Sequence, residues 1–95
     1  MPEVRIPTPL RRLTDGQAVV AVDGDDLREV VTNLDAAHPG LGERLLGDDG
    51  QLRRFINVFV RGEDVRFQDG LDTKVSEDDT ISIIPAVAGG AGIGR

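Results

Sequence analysis

Hydrophobic residues recur at helical spacing in one stretch of the chain. Four of them stand at positions i, i+3, i+4 and i+7, which places them on one face of an amphipathic helix: Leu27, Val30, Val31 and Leu34. Asp26 is positioned to cap the first turn, and Glu29 follows three residues later, as in a capping box. Because the residue before a proline disfavours helical geometry, Pro39 predicts that this helix ends near His38.

Short apolar runs on both sides of this helix predict strands. The first two are expected to form a hairpin with a long loop, and the fourth is expected to pair back on the third. A short second helix is predicted over Gly40–Leu46. The predicted strands are Val4–Ile6, Ala18–Val22, Phe55–Val60, Val65–Phe67 and Thr80–Ile84, and Pro85 is expected to end the last ladder because it lacks a donor.

These elements predict the fold class. One amphipathic helix against one face of a small mixed sheet makes a two-layer α+β domain. A hairpin, a helix crossing the sheet and then further strands is the β-grasp, or ubiquitin-like, arrangement. The 95 residues leave room for one domain, which we place at residues 1–86. Residues 87–95 are rich in glycine, which predicts a flexible C-terminal tail.

Composition excludes several kinds of chemistry. The chain has no Cys, hence no disulfide, thiolate metal site or cysteine nucleophile, and its single His rules out a multi-histidine zinc site. A net charge of −6 and only three aromatic residues argue against nucleic-acid binding. Since no apolar run approaches the ~20 residues of a membrane span and no signal peptide is evident, we expect a cytoplasmic protein. The small size favours a binding, carrier or interaction module over an enzyme, and we expect no cofactor and no metal.

Alternation along the third predicted strand assigns its side chains to two faces. The branched aliphatic residues would face the helix, which leaves Phe55 and Phe59 on the opposite, open face. Ile84 on the last strand points outward as well. Two interpretations follow: an exposed apolar patch that docks partner proteins, or a face partly covered by the loop Gly47–Arg53.

The end of the last strand leads directly into a short segment that closes with two glycines. Because glycine has no Cβ, two in succession can thread a narrow channel and present a carboxylate to a remote active site. The candidate residues for entering partner active sites are Val87, Ala88, Gly89 and Gly90.

Five segments of the chain carry a more specific signal. They are Ile6-Pro7-Thr8 with Leu10-Arg11, Glu43-Arg44-Leu45, Phe55-Ile56-Asn57-Val58, Gly62–Phe67, and Pro85-Ala86-Val87-Ala88-Gly89-Gly90. With them the chain resembles the MoaD/ThiS family of ubiquitin-like sulfur carriers, and within that family most resembles the CysO-type carriers of actinobacterial cysteine biosynthesis. The resemblance extends from about Val4 to Gly90, and the terminal motif is its most specific part.

The resemblance implies a mechanism in which the protein is a co-substrate and not an enzyme. An ATP-dependent activating enzyme would adenylate the carboxylate of Gly90, and a sulfur donor would displace AMP to leave a thiocarboxylate. A sulfur-acceptor synthase, cysteine synthase-like or thiazole synthase-like, would then take the sulfur; molybdopterin and sulfur-containing natural products are further destinations. Without Cys the chain cannot carry sulfur as a persulfide, which leaves its terminus as the site.

The chain departs from the family pattern after Gly90, where Ala91–Arg95 follow the glycine pair. Either these residues are removed in the cell, or they are not native, or this copy is inactive. The resemblance suggests a zinc metalloprotease of the JAMM type for cleavage after Gly90. Two other functions stay open, because fold alone does not separate them: a ubiquitin-like modifier conjugated to lysines, and a non-covalent interaction domain with an inert tail.

Overall fold

The computed structural model describes residues 1–85 of the chain. The tail predicted at residues 87–95, including the candidate residues Val87 to Gly90 and the cleavage position after Gly90, lies outside the described residues. The strands of the described part are β1 (Glu3–Arg5), β2 (Val19–Ala21), β3 (Ile56–Val60), β4 (Glu63–Asp64) and β5 (Thr80–Pro85). Its helices are α1 (Leu27–Ala37) and α2 (Leu41–Leu45), with short 3₁₀ helices at Thr8–Thr14, Val65–Phe67 and Gly70–Asp72.

Over residues 1–85 the strands form one mixed sheet in the order β2-β1-β5-β3-β4. The hairpin of β1 and β2 is antiparallel, as predicted, and β1 pairs in parallel with β5. β5 also pairs antiparallel with β3, so this last strand occupies the centre of the sheet. The arrangement is the predicted β-grasp, ubiquitin-like fold.

The main helix begins and ends where the sequence predicts. The Asp26 carboxylate accepts a hydrogen bond from the Glu29 backbone N–H at 2.9 Å, which satisfies a donor that the helix start leaves free. The Glu29 carboxylate in turn accepts from the Asp25 N–H, one residue before the cap. His38 is the last, capping residue, and its N–H donates to the Leu34 carbonyl at 2.8 Å.

The hydrophobic core joins the apolar stripe of α1 to the inward side chains of the sheet. All four predicted helix positions are buried in this cluster. Two leucines of the first 3₁₀ helix also take part: Leu10 is buried, and Leu13 packs against the cluster. The sheet contributes Val4, Val20, Ile56, Val58, Val60, Ile81 and Ile83.

The predicted strand at Val65–Phe67 is wrong. Arg61 and Gly62 both adopt positive φ angles, 56° and 77°, and form a two-residue hairpin turn. This tight turn places β4 at residues 63–64, opposite the end of β3. The Asp64 carboxylate then accepts from the Arg66 N–H at 2.9 Å and starts a 3₁₀ turn that buries Val65.

Two smaller differences concern the ends of elements. The first loop contains a 3₁₀ helix at Thr8–Thr14 that the sequence analysis treats as loop. Pro85 belongs to the last strand and stands opposite Ile56, because a proline at a strand end gives up only its donor.

Candidate docking face

The open face of the sheet is the surface on the side away from the core, and its centre lies on β3 and β5. Buried side chains alternate along β3 with Asn57 and Phe59, which point to the open face. Asn57 stands opposite Ile84 in the register, and Phe59 stands opposite Ser82. Phe59 and Ile84 are therefore diagonal neighbours across the pair of strands.

The three apolar residues predicted for docking differ in their exposure. Phe55, just before β3, is 65% exposed and Ile84 is 47% exposed, whereas Phe59 is half-buried. The segment 47–53 does not cover Phe55. An antiparallel bridge between Leu46 and Leu52 closes this segment into a loop. The Arg53 N–H then donates to the Leu45 carbonyl at the end of α2.

Arg66 lies at the edge of the open face, and the sequence analysis missed it. Its guanidinium donates to the Asn57 side-chain oxygen at 2.8 Å and to the Arg53 carbonyl at 2.6 Å. The side chain therefore ties β3 to the segment that leads into Phe55. The partners in these two contacts are 9 and 13 residues apart in the sequence, and no periodic pattern predicts them.

A groove runs from α2 to the end of β5. One wall consists of α2 and the segment 46–54, in which Leu46 and Leu52 supply apolar surface. Phe55, Arg66 and Pro85 border the groove at its other side. Pro85 is the last described residue, so the groove reaches the end of the described part of β5.

In the part of the chain that the structure describes, no three His, Asp or Glu side chains converge as metal ligands. None of the helices within residues 1–85 has the length and hydrophobicity needed to cross a bilayer. Of the large apolar residues within 1–85, Phe67 is the most exposed, at 82%, and it does not border the groove.

Comparisons with known proteins agree with this geometry. The ThiS family matches residues 4–90 of the chain. The sulfur carrier protein CysO of Mycobacterium tuberculosis is 47% identical over 89 residues, which cover 92% of this chain and 96% of CysO. The crystal structure of the BexX/CysO complex of Amycolatopsis orientalis contains a chain with a TM-score of 0.89 and 43% identity, covering 95% of this chain and all of that one. Small archaeal modifier protein 3 of Haloferax volcanii is 37% identical over 70 residues, 73% of this chain and 75% of that protein.

The β-grasp sheet and a family match over almost the whole described chain define the class: the chain belongs to the ThiS family. Its function is that of a sulfur carrier protein of the CysO/ThiS type, a non-catalytic co-substrate.

Proposed function

We propose that the chain carries sulfur as a thiocarboxylate on Gly90 and that residues 91–95 are removed before this can happen. One observation carries the proposal: the family match begins at residue 4 and ends at residue 90, so the family's domain stops at the second glycine and the last five residues fall outside it. The absence of Cys supports the same site, because no thiol is present to hold a persulfide.

The chemistry at Gly90 takes two steps. A carboxylate oxygen of Gly90 attacks the α-phosphate of ATP on the activating enzyme, and pyrophosphate leaves. Hydrosulfide (HS⁻), the sulfur donor, then attacks the acyl carbon, the bond to AMP breaks, AMP leaves, and loss of a proton gives the thiocarboxylate. We place this ATP-dependent cycle in the cytoplasm, and we assign the removal of residues 91–95 to a JAMM-type metalloprotease.

The sulfur then passes to an acceptor synthase. The similarity to a CysO that crystallised in complex with BexX supports a stable complex between this carrier and an acceptor enzyme. A cysteine synthase-like enzyme that uses an activated serine is the acceptor we propose. The body of the carrier does not specify its acceptor, so a thiazole synthase-like, molybdopterin or natural-product enzyme is the alternative.

The experiment uses two forms of the chain, one ending at Gly90 and one lacking Gly89 and Gly90 as well. Each is incubated with the activating enzyme, ATP and sulfide, and its intact mass is measured. The form ending at Gly90 is expected to gain the mass of one oxygen-to-sulfur exchange, and the shorter form is not. If both forms support the pathway equally, the chain is a non-covalent interaction domain.

Docking through the open face yields a separate prediction. Phe55→Ala is expected to weaken binding to the activating enzyme by about 1–3 kcal/mol, since an exposed aromatic at the centre of an interface is a typical hot spot. Its stability should change little, because the side chain is 65% exposed. Isothermal titration calorimetry measures the binding, and denaturation by urea measures the stability.

Phe67→Ala is the matched control, because Phe67 is the same residue type and is more exposed but does not border the groove. It should bind like the unmodified chain. Equal losses in the two variants would mean that the docking surface is not the one proposed. Phe59 and Ile84 complete the proposed face; the half-buried Phe59 is expected to affect both binding and folding when it is truncated.

A lysine-conjugated modifier is the second candidate function, favoured by the identity to small archaeal modifier protein 3. The two functions share the activation of Gly90 and differ in what the activated carbonyl is joined to afterwards. A thiocarboxylate identifies the carrier, and an isopeptide bond to a lysine identifies the modifier.

A further inference from the structure

Three arginines without acidic partners stand together beside the end of β5. Arg53, Arg54 and Arg66 all border the groove, and all three are exposed. Among residues 1–85, no carboxylate oxygen lies within 4.0 Å of these guanidinium groups. We name these residues the arginine cluster. The rest of the chain makes the cluster unusual, because the net charge is −6.

Neutral acceptors hold two of the three side chains in place. The Arg53 Nε donates to the Glu43 carbonyl at 2.7 Å, and Arg66 donates to the Asn57 side chain and to the Arg53 carbonyl. Such partners orient a guanidinium without neutralising its charge. The Arg54 side chain makes no hydrogen bond within the described residues and can turn toward a ligand.

Carboxylates also border the groove, and they do not neutralise the cluster. Asp35 accepts from the N–H groups of Gly40 and Gly42, and Asp49 accepts from the N–H of Gln51. Glu43 and Asp48 are exposed and lie more than 4.0 Å from the three guanidinium groups. None of these carboxylates forms an ion pair with the arginine cluster. A fourth exposed arginine, Arg44, borders the groove on the α2 side, and the arginine cluster lies on the side of Phe55 and Pro85.

The position of the arginine cluster near Pro85 limits which partner proteins can contact it. An enzyme that acts on Gly90 must reach a residue five positions beyond Pro85. Five extended residues span at most about 18 Å. The surface around Pro85 therefore has to approach the entrance of any active site that receives Gly90, and adenylation is the step with which each sulfur cycle begins.

We propose that the arginine cluster binds carboxylates at the entrance of the activating enzyme's channel; this rests on the proposed function. Guanidinium groups form bidentate pairs with carboxylates. The exposed Phe55, which borders the same groove, adds apolar contact, and aromatic residues together with arginine are characteristic of protein interfaces. The net charge of −6 opposes an acidic partner at a distance, but charges farther apart than a Debye length of about 8 Å are largely screened, and at contact distance the exposed guanidinium groups pair directly with the partner's carboxylates.

The test is charge reversal at Arg54, the one member of the cluster without a hydrogen bond inside the chain. The chain ending at Gly90 is used as substrate in ATP–pyrophosphate exchange catalysed by the activating enzyme of the same organism. Arg54→Glu is expected to raise the KM for the carrier about tenfold at low salt, with the effect in KM and not in kcat. The difference should shrink at about 1 M salt, where the Debye length falls to ~3 Å.

Two variants serve as controls. Arg54→Lys keeps the charge but loses the bidentate geometry, and its KM should lie between those of the unmodified chain and Arg54→Glu. Arg12→Glu makes the same change of charge at an exposed arginine that does not border the groove, and its KM should stay within about twofold of the unmodified chain.

Each outcome decides a different claim. An equal KM for Arg54→Glu and Arg12→Glu would overturn the docking site and leave the proposed function standing. An unchanged KM combined with slower sulfur transfer to the acceptor synthase would assign the cluster to that enzyme instead. If even the unmodified chain supports no exchange, the proposed function fails, and the docking site fails with it.

Discussion

Val31→Asp is expected to unfold the domain. Val31 is 4% exposed and lies on the apolar stripe of α1, in the cluster shared with β3 and β5. An aspartate there would bury a charge without a partner, which costs several kcal/mol. A small domain has about 5–15 kcal/mol of stability in total. Circular dichroism during urea denaturation should show a lost or strongly lowered transition midpoint.

Thr32→Asp is the matched control for this prediction. It introduces the same side chain one residue further along α1, at an exposed position. Its midpoint should shift only slightly, because surface substitutions usually change stability by no more than about 0.5 kcal/mol. Cooperative unfolding of Val31→Asp at an unchanged midpoint would contradict the assignment of this helix face to the core.

Removal of residues 91–95 is expected to turn a poor substrate of the activating enzyme into a good one. With Ala91–Arg95 attached, the Gly90 carbonyl is held in a peptide bond, so no carboxylate stands where the enzyme needs a glycyl carboxylate. Displacement of a reacting group by about 1 Å can cost 10²-fold in rate, and the extension displaces it further. Intact mass spectrometry after incubation with enzyme, ATP and sulfide should show sulfur only in the form ending at Gly90.

Gly90→Ala in that trimmed form tests the need for glycine itself. The added Cβ should slow the reaction sharply if the channel accepts only an unsubstituted backbone. Equal sulfuration of the full and trimmed chains would show that the extension is harmless, and the requirement for a free Gly90 carboxylate would then be rejected.

The main helix and the two faces of the sheet could be predicted from the sequence, because periodicity and capping residues determine them locally. The 3.6-residue period identified the buried face of α1, and Asp26 and Pro39 predicted its two ends. Alternation along β3 identified which side chains leave the core, and Phe55 and Ile84 are exposed as that pattern predicts.

The structure of the segment after β3 could not be predicted from local sequence pattern. Apolar and polar residues alternate in Val65-Arg66-Phe67 as they do in a strand. The tight turn at Arg61 and Gly62 nevertheless starts the returning strand at Glu63, and its pairing with β3 ends at Asp64. Val65 is buried in the core, and this burial depends on tertiary packing and not on the local sequence pattern. For the same reason the contacts of Arg66 were not predicted, because its partners Asn57 and Arg53 are remote in sequence.

The state of Gly90 in living cells tests the central claim most directly. The protein is isolated from its own organism without reducing or alkylating treatment, and its C-terminal peptide is analysed by mass spectrometry. We expect a population that ends at Gly90 and carries one sulfur in place of one oxygen. A chain that keeps Ala91–Arg95 throughout growth, or a Gly90 found only in isopeptide bonds to lysines, would contradict it.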